Sequence, residues 1–291
     1  MISLIVCTRN RAAALAACLS RIAALVHAGP WEAVIVDNGS TDATAEVIRA
    51  FAAGAVFPVR YVRQPVPGLS NARNAGVAAA AGDLLLFTDD DCYVDAGLLD
   101  AAVAAFSDPV VGFVTGRVRL FDPEDAPVTV NESVEPLRFA AGRFLPAGAV
   151  KGANFGFRRT VLAQIAERGV PFDPLFGSGA RFPAEDADAA QRAALAGWAG
   201  VYDPALVVWH HHGRKAGDLA PLYRDYDVGR GAFHAKLLLA RGGFGPGLQA
   251  WAGLWRRAKV RPSLLRDELR GALGYVGAAI SRAAGGARAG R

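Results

Sequence analysis

Leu84-Leu85-Leu86-Phe87-Thr88-Asp89-Asp90-Asp91-Cys92 decides how the rest of the chain is read. Four large apolar residues run almost directly into three consecutive carboxylates. An apolar run this short reads as a strand buried on both faces, as in a parallel sheet covered by helices. Three adjacent Asp residues repel one another and form strands poorly, so the strand is expected to end among them. The carboxylates then stand at the carboxyl edge of the sheet, where open α/β sheets bind ligands. Clustered carboxylate oxygens suit a hard divalent cation, Mg2+ or Mn2+, of the kind that bridges to phosphate. The plain alternative is a solvated acidic turn, and the remainder of the chain has to choose between the two.

Toward the N-terminus, strand and helix signals alternate. Residues 2–7 and 33–37 read as strands. Leu15, Leu19, Ile22 and Val26 mark one face of a helix between them. Asn38-Gly39-Ser40-Thr41-Asp42 is turn and cap chemistry before a helix buried on Val47, Ile48 and Phe51. Residues 56–63 form a third strand, and 68–81 a small-residue helix that Gly82 breaks. Beyond the aspartates come a helix around Leu98 to Phe106 and a strand over 110–120. The alternation predicts an α/β fold with a mostly parallel sheet flanked by helices. Farther on, 122–146 reads as a loop-rich lid, 150–158 as a strand and 160–168 as a short helix. Gly177-Ser178-Gly179 reads as a flexible loop, 186–198 as a helix and 201–209 as a last strand. Helices are expected over 219–239, 248–259 and 263–284, with a break at 242–247 and a disordered end at 285–291.

Composition narrows the class. With 291 residues, 52% hydrophobic and 20% charged, the chain can bury a sizeable core, and general disorder is excluded. No run of about 18 apolar residues occurs, so no spanning helix is expected. The chain enters its first strand without a basic, then apolar leader, which points to the cytoplasm. Cys7, Cys18 and Cys92 lack metal or disulfide spacing. Charge is lopsided: residues 251–291 carry nine basic side chains against Asp267 and Glu268, a net of +7, within a total of +5. The high pI therefore belongs to the tail. No nucleic-acid reader motif accompanies it, and no nucleic-acid partner is expected.

Polar clusters close or precede five elements: Cys7-Thr8-Arg9-Asn10-Arg11, Val36-Asp37-Asn38-Gly39-Ser40, the stretch from Gly68 to Gly76, Asp89-Asp90-Asp91, and His210-His211-His212. In a parallel sheet these ends share one edge and can converge on one crevice. Together with Gly152-Ala153-Asn154-Phe155-Gly156-Phe157-Arg158-Arg159 and Glu185-Asp186-Ala187-Asp188…Arg192…Gly197-Trp198, the clusters carry a resemblance. In order and spacing the chain resembles a family 2 glycosyltransferase of the GT-A, Rossmann-like fold, over roughly residues 1–215. That divides the chain into a glycosyltransferase domain, 1–215, and a basic helical extension, 216–291.

The resemblance implies a nucleotide-sugar donor, a divalent cation, Mg2+ or Mn2+, and transfer to a hydroxyl acceptor, whether glycan, lipid-linked or a small molecule. It also implies a place in cell-envelope polysaccharide synthesis. By the same resemblance Asp37 reads the nucleobase, for which a carboxylate accepting an imide N–H is apt; a helix-capping role is its alternative. Thr8, Arg9, Arg11, Asn38, Arg73, Asn154 and Glu185 are carried over as substrate contacts. Arg73 has a structural ion pair to an aspartate as its alternative. Either Asp89 or Asp90 meets the ribose, and Asp91, in a DXD-like motif, binds the metal with His210, His212 being the reserve. Asp186 takes the place of the general base of an inverting transfer, or else merely caps a helix. Ala184 stands where a glycine is common in the family.

A nucleotidyltransferase is the competing enzyme class, and Thr8-Arg9-Asn10-Arg11 lacks the glycine-rich loop it requires. A non-catalytic membrane-surface scaffold is the competing non-enzyme class. The tail, with Trp251, Leu254, Trp255, Leu264, Leu265, Leu269, Leu273, Tyr275, Val276 and Ile280 among its arginines, reads in two ways. It forms either basic amphipathic helices on the inner face of an anionic membrane, or helices packed on the body or a homodimer seam.

Overall fold

Strands β1 (Ile2–Thr8), β2 (Trp31–Asp37), β3 (Val59–Arg63) and β4 (Leu84–Asp89) pair in parallel in the computed structural model, which describes residues 1–289. Helices α1 (Ala12–Ala23), α2 (Thr44–Gly54) and α3 (Leu69–Ala79) connect them. As the aspartate run requires, β4 stops at Asp89, and Asp90-Asp91 turn the chain into the short β5 (Cys92–Val94). Then follow α4 (Leu98–Ala105), β6 (Val111–Leu120), β7 (Leu137–Phe139), β8 (Asn154–Arg158), α5 (Arg159–Gln164), α6 (Glu185–Leu195) and β9 (Ala199–His210). The sheet order is β3-β2-β1-β4-β8-β6-β9-β5, with β7 also paired to β9.

The fold is α/β with a mainly parallel central sheet in which three strands reverse: the short β5 and β7, both antiparallel to β9, and β8, inserted between β4 and β6. β8 is antiparallel to both β4 and β6. A strand buried on both faces reads the same whichever way its neighbours run, so periodicity carries no sign of this. The reversal matters because β8 begins at the edge where β4 ends, with Asn154 opposite Thr88. Register lines up the other ends: Asp37 opposite Thr8, Cys7 opposite Asp89, and His210 opposite both Cys92 and Leu120.

Alternation within the strands covers both faces. Leu4, Val6 and Leu86 join Leu15, Leu19, Ile22 and Leu99 on one side; Ile5, Leu85 and Phe87 join Phe113, Phe155, Phe172 and Ala193 on the other. A third core sits under α7 (Leu219–Leu239) and α10 (Ser263–Ala289), where Phe233 and Tyr275 pack with Phe176, Phe182 and Ala187. Lys236 of α7 and Arg282 of α10 extend this joint by ion pairs to Asp173, and Lys236 also pairs with Asp188 of α6. The extension is packed on the body.

Several boundaries differ from the expectations. Val26 is 70% exposed, because α1 ends at Ala23 and the chain turns away before the fourth periodic position. The strand expected from residue 150 starts at Asn154, after a turn closed by the Lys151–Asn154 bridge. The lid segment contains β7. Gly177-Ser178-Gly179 is held in place, with Leu69 donating to the Ser178 carbonyl and Gly177 to that of Phe182. The helix expected over 248–259 is two, α8 (Phe244–Ala252) and α9 (Leu254–Val260), divided at Gly253. The helix of residues 263–284 continues to Ala289, over most of the end expected to be disordered; residues 290–291 lie outside the described residues.

Gly116 sits where the β6–β9 register breaks, against the Leu206 carbonyl and the Asn154 amide, with no room for a methyl group. Gly116→Ala is expected to cost about 1–3 kcal/mol by overpacking and to lower Tm by several degrees. A thermal melt matching the original chain would contradict this packing.

Candidate active site

One guanidinium organises the crevice at the sheet edge. Arg73, in the second turn of α3, is only 2% exposed. It pairs with Glu185 at the start of α6, lies 3.5 Å from Asp89 at the end of β4, and donates to the Gly152 carbonyl at 3.1 Å. Its plane lies over the Phe155 ring, 4.8 Å from the centroid. A buried cation needs such partners, because desolvation without them is prohibitive. Three segments far apart in sequence are thereby fixed to one another.

The three aspartates diverge. Asp90 is turned inward, accepting from the Thr8 hydroxyl at 2.7 Å and pairing with Arg11 at 3.2 Å. Asp91 pairs with Arg11 at 2.9 Å on one oxygen and with His210 Nε2 at 3.2 Å on the other. The Asp89 side chain is the most open of the three, 32% exposed. Burial pushes the Asp89 carboxyl up, against Arg73 and together with the charge of Asp91. Burial acts the same way on Asp91, but His210 and then Arg11 outweigh it and hold that carboxyl at about 2. Ligand atoms of Asp89, Asp91, Cys92 and His210 all fall within 4.8 Å of one another. The two carboxylates suit a hard cation, Mg2+ or Mn2+, and the imidazole of His210 is a softer donor that Mn2+ accepts more readily than Mg2+. The other ring nitrogen of His210 lies 3.2 Å from the Thr129 hydroxyl, which orients the imidazole. Residues that could hold a cation therefore converge in one place.

On the facing wall, Asp186 is half-buried. One of its oxygens accepts from the Ala187 N–H at 2.7 Å. The other faces Gly152, where an added methyl carbon would stand 3.3 Å away. Burial, then the charge of Glu185, pushes the Asp186 carboxyl up to about 6, against Arg73. A carboxylate tuned toward neutrality with one open oxygen can accept a proton from a bound hydroxyl.

The model of glycosyl transferase family 2 matches residues 3–166. The chain belongs to glycosyl transferase family 2. It is 41% identical over 124 residues to a PGL/p-HBAD biosynthesis glycosyltransferase of Mycobacterium tuberculosis, covering 40% of this chain and 48% of that protein. The chain thus spans about half the length of the curated relatives it first matches. The mannosyltransferase PcManGT from Pyrobaculum calidifontis, solved with GDP-Man and Mn2+, superposes with a TM-score of 0.63 at 23% identity, over 100% of this chain and 80% of its own. Staphylococcus aureus TarS 1-349 with UDP gives 0.61 at 17% identity, over 82% and 66%. At such identities the likeness is one of fold, and the fold is GT-A.

The family match ends before α6, so Glu185, Asp186 and His210 are placed by the fold alone. Among the residues expected at the site, Thr8, Arg11, Arg73, Asp89, Asp90, Asp91, Glu185, Asp186 and His210 come together. Asp37 stands at the end of β2, its oxygens taken by the Ser40 N–H at 2.7 Å and the Tyr61 hydroxyl at 3.1 Å. Asn38 and Asn154 spend their amides on backbone: Asn38 on Gln64, Val66 and Gly68, Asn154 on Arg117 and Leu206. In this structure they tie loops and strands rather than face the crevice. Arg9 is exposed at the rim. The reserve ligand His212 turns to Asp125, 3.7 Å away.

Two residues escaped the sequence reading. Lys151 is half-buried beside Asp186, and burial lowers its ammonium pKa against the pull of that carboxylate. Tyr226, from α7, is close enough to Asp186, Asp89 and Glu185 for their charges, after burial, to raise its phenol. Lys151 had a signal, since it directly precedes the Gly152-Ala153-Asn154 motif. Tyr226 had none, because helical periodicity does not say which face of an extension meets a crevice.

The residue before the acidic pair is strained. Ala184 has φ 98°, a left-handed conformation that favours glycine. Ala184→Gly is expected to stabilise the fold by about 0.5–1 kcal/mol, the relieved strain exceeding the added unfolded-chain entropy. Calorimetry showing a lower Tm would contradict the strain at this turn.

Proposed function

We propose that the chain transfers a sugar, with inversion, from a nucleoside diphosphate sugar to a hydroxyl acceptor. The observation that carries this reading is the Arg73 junction, which sets a donor-side carboxylate cluster and a tuned, half-open Asp186 on two walls of one crevice. Structural neighbours solved with GDP-Man, UDP and UDP-GlcNAc support a nucleotide-sugar donor.

On the donor side, Asp91 and His210, with Asp89 at the mouth of the same space, would hold a divalent cation, Mg2+ or Mn2+. When bound, such an ion supplies positive charge against the diphosphate and its departing oxygen. Asp89, the most open of the three, would accept a hydrogen bond from a ribose hydroxyl, whereas Asp90 sets the turn through Thr8 and Arg11. Arg9, exposed just past the β1 end, would be available to the nucleotide. Asp37 shapes the Asn38–Ser40 loop against which the base would rest.

Asp186 acts as base. Its open oxygen takes the proton of the acceptor hydroxyl while that oxygen attacks the anomeric carbon from the face opposite the diphosphate. The bond from the anomeric carbon to the diphosphate oxygen breaks, and its electron pair leaves with the nucleoside diphosphate. Glu185, paired with Arg73, holds the helix start and by its charge keeps Asp186 basic. Removing charge from Asp186 is therefore more damaging to the reaction than to donor binding.

Asp186→Asn is expected to lower turnover at least a hundredfold while leaving nucleotide-sugar affinity intact; near-normal turnover would refute the assignment. The base must be ionised, and its pKa is raised to about 6. The rate with the original chain is thus expected to be full above that pH and to fall about tenfold per unit below it. A pH–rate profile flat from 7 to 5 would exclude Asp186 as the titrating group. Asp91→Ala is expected to abolish the gain in nucleotide affinity that Mn2+ gives in titration calorimetry, and an undiminished gain would remove Asp91 from the cation site.

A further inference from the structure

Helix α10 has two apolar faces, and only one is used. Leu264, Tyr275 and Ala278 are buried, Tyr275 in the third core. Across the helix, Leu269, Leu273, Val276 and Ile280 are 44%, 72%, 36% and 64% exposed. With Leu265 they recur at spacings of four, four, three and four, one continuous stripe along an α-helix. Arg266 and Arg270 border the stripe, and with Leu265, Leu269 and Leu273 they line one open groove. Both acids of the helix, Asp267 and Glu268, are buried, at 4% and 0% exposure. Among the described side chains of α10, the charge left facing solvent is therefore positive. The side chain of Trp255, counted with this tail in the sequence, lies outside the described residues.

From this we infer that the outer face of α10 docks on an anionic lipid surface. The stripe puts on the order of 400 Å² of apolar surface in water, the size of the patches that are often functional on a monomer and about half of what each partner of a standard protein interface buries. A helix lying in a headgroup layer needs only such a stripe, with cationic side chains at its border reaching the lipid phosphates. No helix among the described residues is long and apolar enough to cross a membrane, so this contact lies along the surface. The inward face of α10 remains on the third core, and docking requires no unfolding of the extension. The inference is independent of the transfer chemistry, and its failure would leave the reading of Asp186 untouched.

The test is co-sedimentation of the whole chain with phosphatidylcholine vesicles, with and without phosphatidylglycerol. The chain is expected to pellet with the anionic vesicles and to be released by salt. Leu273→Glu and Ile280→Glu, both at exposed positions, are each expected to keep the original melting temperature and to reduce partition about tenfold or more. Arg266→Glu with Arg270→Glu is expected to abolish the preference for anionic vesicles. Equal recovery of the original chain with and without anionic vesicles would overturn the inference. So would unchanged partition of both stripe variants, or a dimer in sedimentation velocity that Leu273→Glu dissolves while no vesicle binding is seen.

Discussion

The buried guanidinium of Arg73 is the constraint on which the site depends. It reaches Glu185, Asp89 and the Gly152 carbonyl at once, from a position 2% exposed over the Phe155 ring. Breaking one side of a buried ion pair costs about 3–5 kcal/mol, because the abandoned charge stays desolvated. The Arg73 side chain therefore ties α3, the β4 end, the turn before β8 and the start of α6 to one buried charge. Glu185 is consumed by this tie, which leaves its neighbour Asp186 with an open oxygen. Two adjacent carboxylates thus stand in different surroundings through their partners, not through their chemistry.

The same division runs through Asp89, Asp90 and Asp91. Thr8 and Arg11 close off Asp90, Arg11 and His210 share Asp91, and Asp89 stays the most open. Each of these partners comes from the end of a neighbouring strand, or from the residues just past it. Strand register is thus the physical origin of these different surroundings, since Cys7 stands opposite Asp89 and Cys92 opposite His210.

Much of this was legible in the residues. The apolar run 84–87 and its aspartates located the central strand and its end, because buried strands and carboxylate repulsion have local signatures. The spacing of the clusters located the crevice, because strand ends in such sheets share an edge. The reversal of β8 was not legible, and with it the reason Asn154 lies at that edge yet ties β6 to β9. Nor was the break at Gly253 or the exposure of Val26, both decided by where the chain turns rather than by periodicity. The apolar residues of the tail formed one set, with too few polar residues among them to tell a buried face from an exposed one. The structure divides them by packing, with Leu264 and Tyr275 inward and Leu273 and Ile280 outward. Ala184 departs from the family pattern in the sequence, and its left-handed backbone shows what the usual glycine would relieve.

The central claim is a single displacement in which Asp186 removes the acceptor proton across the crevice from the leaving diphosphate. The configuration at the anomeric carbon of the fresh product, read by proton NMR coupling constants before mutarotation or hydrolysis, tests it most directly. A product whose anomeric configuration is opposite to that of the donor is the predicted result. Retention of the donor configuration would require a second displacement or a same-face attack, and would contradict the account.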